Sequence, residues 1–300
     1  MKHLLAVLTV IAVLSAALPG RAALLSYDDF NCPSQTNYLS SLALATNGFG
    51  WKAAWDVQPA AWTSPGFRIT NLPLLAYIDG AGKILLTNGM LAVGGDIYRT
   101  AGRRVGVNET TEEDNQYNPY RKVRNGIAYV GAEGTELWFS ALVRPRITAN
   151  TYVMYLHSGA TARTFSGARI GIGLNGGIWE LRCTDSNLVT QTDSTGVARV
   201  ANTTYLMVLR MAFAQEGDVI DLFVNPASIG SDEPTTPSAS ITVTDDVYFR
   251  SFYLYPGDSS NDGYADEVRI GETYADVTPA IPEPAFALAL ASLALAFRRK

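Results

Sequence analysis

The sequence is poor in the side chains from which most metal centres and nucleophilic sites are built. Its 300 residues hold two cysteines, Cys32 and Cys183, and two histidines, of which only His157 lies away from the N-terminus. Tetrahedral zinc needs four nitrogen or sulfur ligands, and with no C-x-x-C pair a zinc site is not expected. A serine or cysteine triad would have His157 as its only base, and no G-x-S-x-G context accompanies it. Helical periodicity is nearly absent, which leaves strands as the main element. Apolar runs are confined to the two ends, and neither reaches the roughly 20 residues of a comfortable membrane span. Positive charge is also scarce. Setting aside Lys2, Arg21, Arg298, Arg299 and Lys300 leaves 18 basic residues against 28 acidic ones, a net charge of −10. Such a surface disfavours nucleic acid and anionic lipid.

What the ends do contain is ordered. Lys2 precedes an apolar stretch from Leu4 to Leu18, and Gly20-Arg21-Ala22 follows with small side chains where a signal peptidase pocket needs them. The pattern predicts a signal peptide over residues 1–23, cut after Ala22 or Ala23 by signal peptidase. At the other end, over residues 279–300, Ile281-Pro282-Glu283-Pro284 leads into an apolar run of 13 residues, Ala285 to Phe297, and then Arg298-Arg299-Lys300. The prolines stop the last strand from continuing, and the basic cluster would hold the run's end on the cytoplasmic side. This tail resembles the PEP-CTERM sorting signals of exopolysaccharide-producing Gram-negative bacteria, with Pro282, Glu283 and Pro284 at the motif itself. The resemblance implies removal of the tail by an exosortase-like membrane enzyme, transient contact with the inner membrane, and delivery to the cell surface or beyond.

Between the ends, residues 24–278 show no linker. Both cysteines fall in this part, and an oxidising compartment would permit a disulfide between them. The loop closed would be roughly 150 residues, worth about 4–5 kcal/mol in the chain-entropy model, with pairing left open by the sequence. The main signal is a series of short apolar or alternating stretches separated by Gly, Asn, Asp and Pro. Strands are predicted at Thr135 to Arg144, Thr151 to His157, Ala168 to Leu174, Thr203 to Phe213, Val219 to Val224, Val247 to Tyr255 and Tyr264 to Ile270. Asn175-Gly176-Gly177 predicts a tight hairpin, because positive φ is easy there. Many strands with no blade or solenoid period predict an all-β fold, a two-sheet jelly-roll sandwich.

Several blocks resemble a known family. Tyr27-Asp28-Asp29-Phe30, Gly48-Phe49-Gly50-Trp51 with Trp55, Glu136 to Arg144, Asp221 to Pro226 and Ala265 to Gly271 occur in the order found in concanavalin-like, laminin-G-like β-sandwich proteins that often carry PEP-CTERM tails. The resemblance implies the fold. For function it leaves open a non-catalytic polysaccharide-binding module, a structural envelope or matrix protein, and a divergent glycosidase or lyase, since one sandwich hosts all three. Catalysis is not expected. Glu216-Gly217-Asp218-Val219-Ile220-Asp221 superficially resembles the acidic strand of laminarinase-type glycosidases, but its third acid is Asp. Its glycine also falls where a regular or bulged strand must hold two acids about 5 Å apart.

Two candidate sites remain. Asp258, Asn261, Asp262 and Asp266 supply hard oxygen donors of the kind Ca²⁺ prefers, and calcium is common in the family resembled. Asp28 and Asp29 would reach the same region if the first and last strands pair. For a glycan, aromatic rings would pack against sugar CH faces while a few fixed polar groups hold the hydroxyls. On Thr135 to Arg144, Leu137, Phe139, Ala141 and Val143 make one apolar face and Glu136, Trp138, Ser140 and Arg144 the other. The second is the expected binding face; Tyr152, Arg169 and Trp179 are candidates to join it, the strand register being open. Trp51, Trp55 and Trp62 are expected in core or loop packing.

Overall fold

The structure, a computed structural model, describes residues 23–28, 30, 48–52, 55–58, 68–70, 75–86, 91–94, 100–106, 116–145, 152–159, 167–230, 232–254 and 263–279. Strands dominate: β1 (Leu24–Asp28), β2 (Asp56–Gln58), β3 (Arg68–Thr70), β4 (Ala76–Ile78), β5 (Ile84–Leu86), β6 (Leu91–Gly94), β7 (Thr100–Arg104), β8 (Arg121–Arg124), β9 (Ile127–Val130) and β10 (Thr135–Pro145). The second half adds β11 (Tyr152–His157), β12 (Arg169–Asn175), β13 (Ile178–Thr184), β14 (Thr190–Ala198), β15 (Tyr205–Phe213), β16 (Asp218–Val224), β17 (Ala239–Val243), β18 (Ser251–Leu254) and β19 (Gly263–Gly271). One short helix, α1 (Tyr274–Val277), follows. Among the described residues no helix is long and apolar enough to cross a membrane.

The strands form the expected two-sheet sandwich. The first sheet runs β17-β16-β15-β10-β19-β6-β3, with β1 also on β19, and the second runs β14-β13-β12-β11-β18-β7-β2. All the pairings are antiparallel, so each strand presents alternate residues to the space between the sheets. Leu137, Phe139, Ala141 and Val143 of β10 face that space as expected, meeting Ile170, Ile172, Leu174 and Leu181 from the other sheet. Cys183 lies there too as a free thiol, while Cys32 falls outside the described residues. Asp28 carries a charge into this interior. Its carboxylate accepts from Arg103 of β7, from Trp55 Nε1 at 2.9 Å and from the Phe30 amide at 2.9 Å, so one side chain ties β1 to the opposite sheet. Removing one partner of such a buried pair strands the other and costs about 3–5 kcal/mol.

Two glycine motifs show why those residues stand where they do. Gly176 (φ 58°) and Gly177 (φ 81°) make the two-residue turn between β12 and β13. Gly50 (φ 77°) lies against β1 so closely that a Cβ would come within 1.9 Å of the Leu25 carbonyl oxygen. The Gly-Phe-Gly-Trp block is thus a close backbone approach that docks Phe49 on Tyr27, each amide donating to the other's carbonyl at 3.1 Å.

A second apolar layer lies outside the first sheet. Trp138, Leu142, Leu206, Val208 and Phe223 point away from the sandwich interior and meet Leu75 just before β4, Leu85 of β5, Ile229, and Tyr274 and Val277 of α1. Asp79 fastens this cover. It accepts from the amides of Ala81 (2.9 Å), Lys83 (2.8 Å) and Ile229 (2.9 Å). Against the upward push of burial, these amides and the Lys83 ammonium hold its carboxyl below the usual range. The helix is held by a capping box between Thr273 and Asp276 and by Ser140 Oγ donating to the Val277 carbonyl at 2.5 Å.

Candidate functional site

Trp138, Arg144, Tyr152 and Trp179, the principal candidates from sequence for a glycan-binding face, are not brought together. Trp138 lies on the outer side of β10 but is 1% exposed, stacked on Phe223 at 5.9 Å and met edge-on by Tyr274 at 5.3 Å. Its Nε1 donates to Glu136 Oε1 at 3.1 Å. The expected exposed platform is therefore a correction: this ring belongs to the second apolar layer. Trp179 is a second correction. It is fully buried between the sheets, edge-on to Tyr205, because β13 turns its odd-numbered residues inward. Arg144 sits half-buried near the end of β10 opposite Tyr264, in the first sheet. Tyr152 is in the second sheet, opposite Gly173.

The proposed calcium site lies mostly outside the described residues. Asp258, Asn261 and Asp262 fall outside them, as do Pro282, Glu283 and Pro284 of the sorting motif. Asp266 is buried in β19, where its Oδ1 accepts the Glu267 amide at 2.8 Å. Glu267 has φ 53° and the β10 register shifts there, so this carboxylate serves a β-bulge. The pairing of β1 with β19 does occur, but Asp28 has both oxygens engaged with Arg103, Trp55 and Phe30. Among the described residues no three acidic, cysteine or histidine side chains come together as a metal site.

Asp218 and Asp221 of the acidic run have structural roles. Asp218 points toward the interior and accepts from the Ala214 (2.9 Å) and Val247 (2.7 Å) amides, fixing the turn before β16. Asp221 points to the outer side, where Ser240 Oγ donates to it at 2.6 Å and Arg210 lies 3.5 Å away. Two carboxylates on opposite faces of one strand cannot act on one glycosidic bond.

The outer face of the second sheet has a different make-up. Cross-strand register places Tyr253, Tyr155, Gly171, Arg182 and Thr192 in one row. The next row holds Arg104, Ser251, His157, Arg169 and Thr184. Tyr155 and Tyr253 stack at 5.3 Å, and His157 stands edge-on to both at 5.8 Å. On the β13 side, Arg182 donates to Glu180 and to the Leu174 carbonyl, Asn175 Nδ2 donates to Glu180 at 3.0 Å, and Arg169 Nε donates to Thr184 Oγ1 at 3.0 Å. Exposure rises across the face: Tyr155 is 4% exposed and Tyr253 2%, Arg169 and Arg182 are half-buried, and Thr190, Thr192 and Ser194 of β14 are exposed. Gly171 and Gly173 remove two side chains from its middle.

His157 shows the electrostatics of this face. Its Nδ1 accepts the Gly159 amide at 2.7 Å, and burial, with Arg169 and Arg250 adding to it, lowers its pKa to about 4. The ring is neutral at pH 7. The strand parity that sorts β10 into two faces also puts Tyr155 and His157 opposite Met154 and Leu156; sequence reasoning did not carry it from β10 to β11, and so missed this cluster.

No protein-family model matches the sequence, and no curated protein matches it. Among solved structures, domain 4 of AbnA, a GH43 extracellular arabinanase from Geobacillus stearothermophilus in complex with arabinotriose, is 15% identical, with a TM-score of 0.47, covering 86% of this chain and 97% of that one. An endo-beta-1,4-glucuronan lyase from the fungus Trichoderma reesei is 13% identical at TM-score 0.42, covering 75% and 97%. The receptor binding domain of botulinum neurotoxin D is 9% identical at TM-score 0.39, covering 70% and 46%. The likeness is one of overall shape alone.

Proposed function

We propose that the chain is an exported, non-catalytic module that holds polysaccharide on the outer face of its second sheet. One observation carries this reading: on the β12–β14 side of that face, half-buried Arg169 and Arg182 are held by Thr184, Glu180 and the Leu174 carbonyl beside the exposed hydroxyls of Thr190, Thr192 and Ser194. A polysaccharide offers many hydroxyls at repeating spacing, which fixed forks such as Arg182 and Arg169 and the exposed hydroxyls of Thr190, Thr192 and Ser194 can pair. Each contact is weak, so retention comes from many copies on one polymer. The leader and the sorting tail would put the module where such polymers lie.

Affinity electrophoresis of the exported protein through gels carrying acidic and neutral bacterial polysaccharides tests this reading. Retardation in at least one gel, reduced several-fold by Arg182→Gln, is the expected result. Uniform mobility in every gel would overturn it and favour a structural envelope protein, a role that the sealing of the first sheet's outer face by the protein's own chain already suits.

A further inference from the structure

The start of β1 meets the end of β19 in an arrangement that bears on where the mature chain begins. Leu24 lies opposite Gly271, and one residue further the two strands are tied twice. The Ala23 amide donates to Glu272 Oε2 at 3.0 Å, and the Glu272 amide donates to the Ala23 carbonyl at 3.2 Å. Tyr120 donates its hydroxyl proton to Oε1 of the same carboxylate at 2.9 Å. The Ala23 methyl packs against the main core. Ala23, the first described residue, is thus tied into the sandwich through both its amide and its carbonyl.

We infer that signal peptidase cuts between Ala22 and Ala23, and that Glu272 is the built receptor for the α-ammonium of Ala23 which this cut creates; the inference rests on reading the N-terminus as a cleaved leader. In the cut, water adds to the Ala22 carbonyl, the Ala22–Ala23 C–N bond breaks, Ala22 departs with a carboxylate and Ala23 keeps the amine. That amine has an ordinary pKa near 7.7–8.0 and is protonated at neutral pH. The hydrogen bond already present between Ala23 N and Glu272 then becomes charge-assisted, roughly doubling its strength.

Three observations converge on this cut. Cutting after Ala22 puts Ala22 and Gly20 in the first and third positions before the bond, whereas cutting after Ala23 puts Arg21 in the third. The later cut would also delete both hydrogen bonds between Ala23 and Glu272. Finally, the surroundings are anionic: Glu272 and Asp276 both face the Tyr120 hydroxyl, whose pKa is raised by burial first and by these two carboxylates after it. A cation placed at Ala23 relieves that crowding.

The experiment uses protein recovered from the host that exports it. Intact mass and N-terminal sequencing should show Ala23 as residue one. A start at Leu24 or later overturns the inference while leaving the leader reading intact, and retention of residues 1–22 overturns both. Thermal unfolding of Glu272→Gln, which keeps an acceptor of the same shape, should show a Tm lower by about 2–4 °C when Ala23 is free. The same substitution in a version carrying Gly-Ser ahead of Ala23 should change Tm by less than half as much. An equal loss in both versions means that Glu272 acts only through neutral hydrogen bonds and overturns the ammonium receptor.

Discussion

The two outer faces of the sandwich look alike in sequence and differ in the folded protein. On the first sheet, Glu136, Trp138, Ser140 and Arg144 alternate along β10; on the second, Tyr155 and His157 alternate along β11, beside Arg169, Glu180 and Arg182. Each mixes aromatic with polar groups. The first is roofed by Leu75, Leu85, Ile229, Tyr274 and Val277, tied down through Asp79 and Ser140. On the second, Tyr155, Tyr253 and His157 are buried too, and among the described residues the face opens only toward Arg169, Arg182 and the exposed hydroxyls of β14. Strand parity says which residues share a face, but what lies on that face is decided by segments roughly 50 to 140 positions away, at residues 75–86 and 274–277. Long-range coverage, more than local composition, separates a packing surface from a binding surface.

The sharpest way to break this comparison is Trp138→Ala. If the ring is packing, its removal leaves a cavity beneath Phe223 and Tyr274 and should cost about 3–5 kcal/mol, read from the denaturant midpoint at unchanged slope. A cost below about 1 kcal/mol would mean that the roof is not formed in solution, and the two faces would then be equivalent.

Acid sensitivity probes the second face. His157 is neutral and buried in the fold, with a pKa lowered to about 4 from the ordinary 6.5, so the unfolded chain binds its proton first as pH falls. Its contribution is fully present above about pH 6.5 and lost progressively down to about pH 4, reaching about 3 kcal/mol of destabilisation. Asp28 and Asp218, whose pKa values are raised by burial, bind protons more readily folded than unfolded and offset part of the loss. The measurement is therefore the difference between wild type and His157→Gln, which should grow between pH 6.5 and 4. A flat difference would show that water and protons reach the ring freely.

Much of the fold was legible from the chain alone. The strands Thr135–Pro145, Tyr205–Phe213 and Asp218–Val224 were expected within about two residues at each end, because their inward residues alternate as Leu, Phe, Met and Ile. β14 was not anticipated: Thr190 to Ala198 is a mostly polar edge strand with no apolar period to detect. β17 does alternate, with Ala239, Ile241 and Val243 buried, but at five residues with Ser and Thr between them it resembles a turn-rich stretch. The expected strand from Val247 is instead irregular until Ser251, because Phe249 pairs with Val130 of β9 while the Arg250 amide donates to the His157 carbonyl at 2.9 Å. The site was less legible, because assigning Trp138 and Trp179 to one surface required knowing that β10 and β13 belong to different sheets.

The smallest effect on stability carries the sharpest statement about function, and it comes from two arginines, one on each face. Arg210 lies on the first sheet's outer side, its Nη2 2.7 Å from Glu136 and its Nη1 3.5 Å from Asp221, with the side chains of Arg210 and Glu136 more than a third exposed. Arg169 lies on the second, donating to Thr184 beside His157. Solvent screens the first pair and the second is a hydrogen bond at a half-buried site, so Arg210→Gln and Arg169→Gln should each cost no more than about 1 kcal/mol. The two changes remove the same charge and nearly the same volume, which makes each a control for the other. If polysaccharide is held by the second sheet, Arg169→Gln should weaken retention in affinity gels several-fold while Arg210→Gln leaves it unchanged. Equal weakening by both would trace retention to net charge spread over the surface. Loss with Arg210→Gln alone would move the binding face back to the rim of the first sheet, beside the ring of Trp138 that the roof encloses.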